Sequence, residues 1–312
     1  MFNKLSNKSL TIVFIVLLIG VAAFVLYDSH HGERSFRSEL VSIDTAKVTS
    51  IKIYPKSDSH KEVNLYKEGK YWKVKLPGNK TGDVTDNKIR QIFDQLLSIK
   101  PASVAAQSPD KWKEYKVDTA QATEVKVYQG SDNTLDLMIG KFAFQQPRSM
   151  STFVRVGGDD NVYETNGMIS YTFDHGPNYF RDDRVISDDY NDWSKLSFTY
   201  PGDSSFTLQK VDKKWAIDGR AADSSKVVDF LRPLSHLTNS EFVDNFDHNI
   251  LNKASYTLTI TSSSKGAITV TGFQKGDTLL VTSSENPDVY FNGMKNGFKK
   301  NLFAGKNKFL KK

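Results

Sequence analysis

Residues 62–74 read EVNLYKEGKYWKV, and residues 205–217 read SFTLQKVDKKWAI. The two stretches align without a gap, and a tryptophan occupies the same place in each, at positions 72 and 215. Apolar residues alternate with polar ones around a short turn, which is the pattern of a β-hairpin with one buried face. The apolar positions agree between the copies while the charges vary. We therefore predict that Trp72 and Trp215 are core residues and not part of a basic recognition patch.

The elements that follow each hairpin also repeat. Residues 85–99 place apolar side chains at spacings of three and four, as an amphipathic helix does, and residues 223–237 repeat that stripe position by position. Pro233 departs from the pattern and should kink the final turn or replace it with a loop. Two strand-like pairs follow each helix. The sequence predicts a tandem duplication with an α+β fold, in which each module is an antiparallel sheet with one packed helix.

The repeats set the predicted domain boundaries. The first module is placed at residues 42–166 and the second at residues 193–297, with a connector at residues 167–192. Residues 28–41 are polar and are predicted to form a stalk. Residues 298–312 are predicted to be a basic C-terminal tail.

An apolar segment precedes the stalk. Residues 9–27, SLTIVFIVLLIGVAAFVLY, contain no charge, and as a helix they would reach about 28 Å, close to the thickness of a bilayer core. A cleaved signal peptide is the alternative, but the apolar run is long and ends in bulky residues. We predict an uncleaved single-pass transmembrane anchor. The two preceding lysines place residues 1–8 in the cytoplasm and the main body outside, with the lipid bilayer as a partner.

The net charge of +6 is concentrated at the two ends of the chain. The last eighteen residues carry seven lysines and no acid, and residues 28–294 carry 33 Lys and Arg against 36 Asp and Glu. The body is mildly acidic, so nucleic acid is not a predicted partner. The basic end is expected to be frayed or loosely docked, with contact to anionic lipid as the alternative. The absence of cysteine excludes disulfides and thiolate metal sites.

Motifs with known chemistry are missing from the sequence. The six histidines have no metal-ligand spacing, and no GxSxG, Walker or dinucleotide signature occurs, so no cofactor, metal or catalytic residue is predicted. The most informative cluster lies in the connector, where charges follow two aromatic residues. It either fixes the two modules through ion pairs or forms a partner-binding edge. The candidate interaction residues are Tyr179, Phe180, Arg181, Asp182, Asp183 and Arg184.

Several of these segments together resemble a known family. The hairpin ending in KYWKV, the strand LMIGKF, the hairpin FVRVGGDDNVYE and the connector FRDDRVI are similar to the family called domain of unknown function 4340. The resemblance covers nearly the whole chain after the apolar segment. It implies a bacterial protein of the inner membrane, encoded beside genes for an ABC-type transport system related to the gliding-motility transporter. It implies no catalytic residues.

Three functions follow as hypotheses. The first is a non-enzymatic accessory or scaffold subunit that binds envelope proteins or subunits of an ABC-type transporter. The second is a module that binds envelope glycans or peptides on an aromatic platform of Tyr171, Phe173, Tyr179 and Phe180. The third is an envelope hydrolase, which requires a deep pocket with a carboxylate pair, or a serine and a histidine within hydrogen-bond reach.

Overall fold

A computed structural model describes residues 14–21, 37–145 and 149–311. These residues form mostly two antiparallel sheets with few helices, so the predicted α+β class is wrong. Strands dominate because short runs of alternating β-branched and aromatic residues fill most of the chain after residue 50.

The predicted transmembrane helix is corrected as well. No helix among the described residues is long and apolar enough to cross a membrane. Within the predicted span, residues 14–21 are helical and exposed. Residues 9–13 and 22–27 of that span lie outside the described residues.

The strands follow one another through most of the described chain. Their bounds are β1 Ser50–Tyr54, β2 Val63–Glu68, β3 Tyr71–Leu76, β4 Lys80–Val84, β5 Pro101–Ala106, β6 Thr123–Gln129, β7 Asp132–Gln145, β8 Ser149–Val156, β9 Val162–Asn166, β10 Trp193–Thr199, β11 Phe206–Val211, β12 Lys214–Ile217, β13 Arg220–Ala221, β14 Tyr256–Ser262, β15 Gly266–Lys275, β16 Thr278–Ser283 and β17 Asn286–Asn292.

Helices are fewer and mostly short. The α-helices are α1 Asp86–Leu97, α2 Trp112–Tyr115, α3 Ser170–Phe173, α4 Ser224–Leu234 and α5 Phe298–Leu302. Turns of 3-10 helix lie at Lys56–Asp58, Pro77–Asn79, Pro109–Lys111, Pro177–Phe180, Tyr190–Asp192, Gly202–Ser204, His248–Asn252, Lys295–Gly297 and Lys306–Phe309.

The chain divides into two compact units. The first runs to Lys67 and continues over Asp86–Gly176, and the second consists of Glu68–Thr85 and Pro177–Lys312. Hairpin β3–β4 therefore groups with the second unit, where Trp72 pairs with Val84. The predicted modules at residues 42–166 and 193–297 stay a prediction.

The same strand order occurs in both units. In the first unit, the antiparallel strands follow the order β2-β1-β6-β7-β8-β9-β5. In the second unit they follow the order β11-β10-β14-β15-β16-β17, which matches the first six strands of the first unit one by one. Strand β5 runs along β9 in the first unit. In the second unit the corresponding residues run along β17, since Val243 donates to the Tyr290 carbonyl at 2.8 Å and Asn292 donates to the Glu241 carbonyl at 2.7 Å.

Each long helix buries its apolar stripe. Helix α1 buries Ile89, Ile92 and Leu96. Helix α4 starts after Asp223, whose side chain accepts from the Lys226 backbone at 3.3 Å, and ends one residue after Pro233. The early end agrees with the expected effect of a proline in the last turn.

The two repeated tryptophans are confirmed as core residues. Trp72 is 6% exposed and Trp215 is 5% exposed. Trp215 lies in the core of the second unit, and the Lys210 ammonium sits 5.3 Å from the centre of its ring. The lysine thus lies over the face of the ring, and its ammonium donates to the Asn191 carbonyl at 3.0 Å.

The expectation of a frayed or loosely docked C-terminal end is wrong. Phe298, Leu302 and Phe309 are buried in the core of the second unit. The ring of Phe309 lies 5.2 Å from that of Phe230, and the Phe309 carbonyl accepts from the Asp223 backbone at 2.9 Å. The apolar residues spaced among the lysines decide the outcome, because each buried phenylalanine removes a large apolar area from water.

Candidate functional site

The connector residues predicted as an interaction site have different environments. Phe180, Arg181 and Asp182 are buried and Asp183 is half-buried, whereas Tyr179 and Arg184 are exposed. The cluster is therefore not one continuous exposed edge. Its two exposed members stay candidates for a partner contact.

The buried Arg181 is the centre of an ion pair with Asp244, whose side chain is 32% exposed. Its guanidinium donates to both carboxylate oxygens of Asp244, at 2.9 and 2.8 Å, and to the side-chain oxygen of Asn178 at 3.2 Å. Its planar group lies 3.8 Å from the centre of the Phe242 ring. A Cβ atom on Gly82 would come within 3.1 Å of the Arg181 side chain, a tight contact that glycine avoids. Bidentate pairs of this kind fix position as well as charge.

Asp182 joins three parts of the second unit. Its carboxylate accepts from the Arg184 side chain at 2.9 Å, and this bonded carboxylate raises the pKa of the Arg184 guanidinium. Its backbone N–H donates to the Asp83 carbonyl at 2.6 Å, and its carbonyl accepts from Asn286 at 2.9 Å. These contacts give Arg181 and Asp182 a positioning role in the second unit.

The aromatic platform expected from the sequence does not form. Phe173 and Phe180 are fully buried, so only Tyr171 and Tyr179 of the four remain exposed, at 69% and 42%. Aromatic residues in the connector were read as surface because charges surround them. Each unit buries one of the four instead, Phe173 in the first unit and Phe180 in the second.

Exposed apolar side chains gather on strands β7 and β8 of the first unit. Phe142, Phe144 and Met150 are 55%, 58% and 42% exposed, and we name these three residues the apolar ribbon. Phe144 and Met150 are cross-strand partners, and residues two apart on a strand point to the same face. The sequence KFAFQ at residues 141–145 shows the alternating phenylalanines. Alternation alone does not reveal whether the face that carries them is buried or exposed.

A pocket of about 440 Å³ lies at the other end of β7. Asp136 lines it beside Gly157, where a Cβ atom would meet the Asp136 side chain at 2.8 Å. Burial, together with the charge of Glu124, raises the pKa of the Asp136 carboxyl. Lys126 lies 2.9 Å from Glu124 and 3.9 Å from Asp136, while one Asp136 oxygen is buried without a hydrogen bond. A carboxyl of this kind keeps its proton to a higher pH than an ordinary aspartate does.

Metal ligation finds no support in the described part of the chain. No group of three or more His, Cys, Asp or Glu residues is placed there to hold a metal ion.

The fold defines a protein of two antiparallel sheets with a repeated strand order. Residues 72–259 match the family described as Domain of unknown function (DUF4340). The match covers more than half of the 312 residues, so the chain belongs to this family and the resemblance is confirmed. Comparisons with curated proteins and with solved structures give no match. The gene neighbourhood implied by the resemblance stays a prediction.

Proposed function

We propose that this chain is a non-enzymatic binding protein that acts as an accessory or scaffold subunit of an ABC-type transport system. The observation that supports the proposal is the apolar ribbon of Phe142, Phe144 and Met150, all exposed on two paired strands. A contiguous patch of exposed apolar side chains often marks an interaction site. Aromatic residues and methionine are also enriched at protein interfaces. The partner face is expected to be apolar.

The transporter part of the proposal comes from the family resemblance. That resemblance implies genes for an ABC-type transport system beside those of the family members. The proposal therefore names a transporter subunit of the bacterial envelope as the protein that covers the ribbon. The exposed residues Tyr179 and Arg184 supply a second contact in the same proposal.

A pull-down from detergent-solubilised membranes of the producing bacterium tests the proposal. The wild-type chain is expected to recover a transporter subunit. The double variant Phe144→Ser, Met150→Ser should recover at least tenfold less of that subunit. Phe144 is 58% exposed and Met150 is 42% exposed, so the melting temperature should change little. Val211→Ser is the matched control, because Val211 is 53% exposed on a strand of the second unit. The proposal fails if the wild type recovers no transporter component, or if the ribbon variant recovers as much as the control.

The envelope hydrolase is a second candidate, favoured by the Asp136 pocket. A general acid needs a carboxyl group whose pKa is raised toward the working pH, and a neighbouring carboxylate is a common way to raise it. Asp136 with Glu124 beside a pocket of about 440 Å³ meets that description. Hydrolysis of cell-wall glycan or peptide fragments by the wild type, lost in Asp136→Asn, would support this candidate. Turnover that survives the substitution, or its absence in the wild type, would remove it.

A further inference from the structure

Three lysines line a second pocket of the first unit. Lys56, Lys116 and Lys141 surround a space of about 280 Å³ together with Thr123 and Ser170. None of the three ammonium groups forms an ion pair with a carboxylate of the described residues. Lys126, on strand β6 of the same unit, is by contrast paired with Glu124 at 2.9 Å and with Asp136 at 3.9 Å. The pocket therefore concentrates positive charge that the protein does not neutralise.

One acidic residue, Asp174, lies in the same pocket, and one of its carboxylate oxygens is already hydrogen-bonded. A single oxygen of Asp174 accepts from the Ser57 backbone at 2.8 Å and from the Thr123 hydroxyl at 3.0 Å. With three lysines against one aspartate, the formal charge of the lining is +2. The Ser170 hydroxyl makes no hydrogen bond to another described residue, so it remains a donor for a bound group.

Backbone irregularities place two of the lysines. Strand β7 shifts register by one residue between Ile139 and Phe142, and Lys141 lies in that bulge. A Cβ atom on Gly140 would come within 2.3 Å of the Tyr115 carbonyl oxygen, so only glycine permits this approach. Lys116 itself has φ 56°, a left-handed conformation that favours glycine. Bulges and strained residues of this kind concentrate near functional sites.

The Lys141 ammonium is held in place by aromatic rings. It lies 4.7 Å from the centre of the Tyr115 ring and 5.5 Å from that of Phe153. Such contacts attract a cation without neutralising it. The charge is therefore positioned and remains available to an anion.

We infer that this pocket binds the phosphate group of a small ester, of the phosphoglycerol class. A phosphate carries up to two negative charges and accepts several hydrogen bonds, which matches a lining of +2 with a free hydroxyl donor. The volume of about 280 Å³ exceeds that of bare phosphate and accommodates a small organic group. Phosphoglycerol occurs both as a soluble ester and as the headgroup of an anionic phospholipid. Phe142, which also lines the pocket, offers apolar contact to either.

Titration calorimetry of the full chain at low salt tests the inference with inorganic phosphate and glycerol phosphate as probes. Glycerol phosphate is expected to bind more tightly than inorganic phosphate, with an affinity that falls as salt is added. Lys56→Gln and Lys116→Gln should each raise Kd about tenfold or more, as expected for the loss of one charged hydrogen bond. Lys195→Gln is the control, because Lys195 is an exposed lysine on a strand of the second unit.

A second arm separates the two sources of the ligand. Vesicles of phosphatidylglycerol and of phosphatidylcholine are sedimented with the wild type and the lysine variants. Retention on phosphatidylglycerol alone, lost in Lys56→Gln, identifies a lipid headgroup, whereas binding of the soluble ester without vesicle retention identifies a free ester. Binding of neither probe overturns the inference, and so does binding that Lys56→Gln and Lys116→Gln leave unchanged. The ribbon residues Phe144 and Met150 are intact in every variant, so the result is independent of the proposed protein partner.

Discussion

Removing the carboxylate of Asp244 should destabilise the second unit strongly. Arg181 is 4% exposed and uses two hydrogen bonds, of 2.8 and 2.9 Å, to hold Asp244. Asp244→Ala removes the bidentate acceptor of a buried guanidinium, and breaking a buried pair from one side costs about 3 to 5 kcal/mol of unfolding free energy. The bond to Asn178 and the stacking on Phe242 remain, which favours the lower end of that range. For a unit of roughly 150 residues this lowers the melting temperature by about 6 to 12 °C.

Urea unfolding followed by tryptophan fluorescence measures the loss. Lys275→Gln is the matched control, since it breaks an ion pair to Asp247 of 3.3 Å in which both side chains are more than half exposed. That control should cost less than about 1 kcal/mol. A double variant, Asp244→Ala with Arg181→Met, should recover part of the loss because the buried charge is gone. A loss in Asp244→Ala no greater than in the control would refute the reasoning.

Further predictions concern the cores and two carboxylates. Trp215→Ala and Phe309→Ala should each lower the unfolding free energy by about 3 to 5 kcal/mol in urea titrations, because both side chains are buried. Burial alone would raise the pKa of Asp188, but hydrogen bonds from two serines and Trp193 hold it below its usual value. Its stabilising effect is present above pH about 4 and is lost as pH falls through the lower folded-state pKa, so the stability gap between wild type and Asp188→Asn should close in acid. The Asp136 pKa is raised by burial and by a neighbouring glutamate, so its stabilising effect is lost as pH rises. Asp136→Asn should therefore melt at a higher temperature than wild type at pH 7 and at the same temperature at pH 3.

Local patterns predicted much of the fold. The hairpin alignment placed Trp72 and Trp215 in the core, where both lie, because alternation and a shared apolar position report burial directly. Pro233 marked the end of helix α4. The predicted α+β class was wrong. The prediction gave the one clear amphipathic helix in each repeat more importance than the many short strands around it. The prediction for the C-terminal end was wrong for a similar reason. It gave the lysines more weight than the phenylalanines, which are buried.

The site residues were harder to predict, because their environment is set by distant partners. Arg181 was identified as a charged connector residue, but Asp244, 63 positions away, makes it a buried ion pair. The lysine pocket draws Lys56, Lys116 and Lys141 from separate elements. Lys141 lies in the bulge of strand β7. In the sequence, Gly140 is the one residue that indicates this bulge. Pairings at such separations leave no periodicity for a local pattern to detect.

The grouping of hairpin β3–β4 with the second unit has a consequence for folding. Its residues are synthesised about a hundred positions before the connector that they bond, as the contact between the Asp83 carbonyl and the Asp182 backbone shows. Closing a loop of that length costs about 2 kcal/mol more than closing one of ten residues. The contact between the hairpin and the connector can therefore form only after residues 86–176 have emerged, and we expect a slow step in refolding as it forms. A fragment cut after residue 176 would carry the hairpin without the connector that completes it.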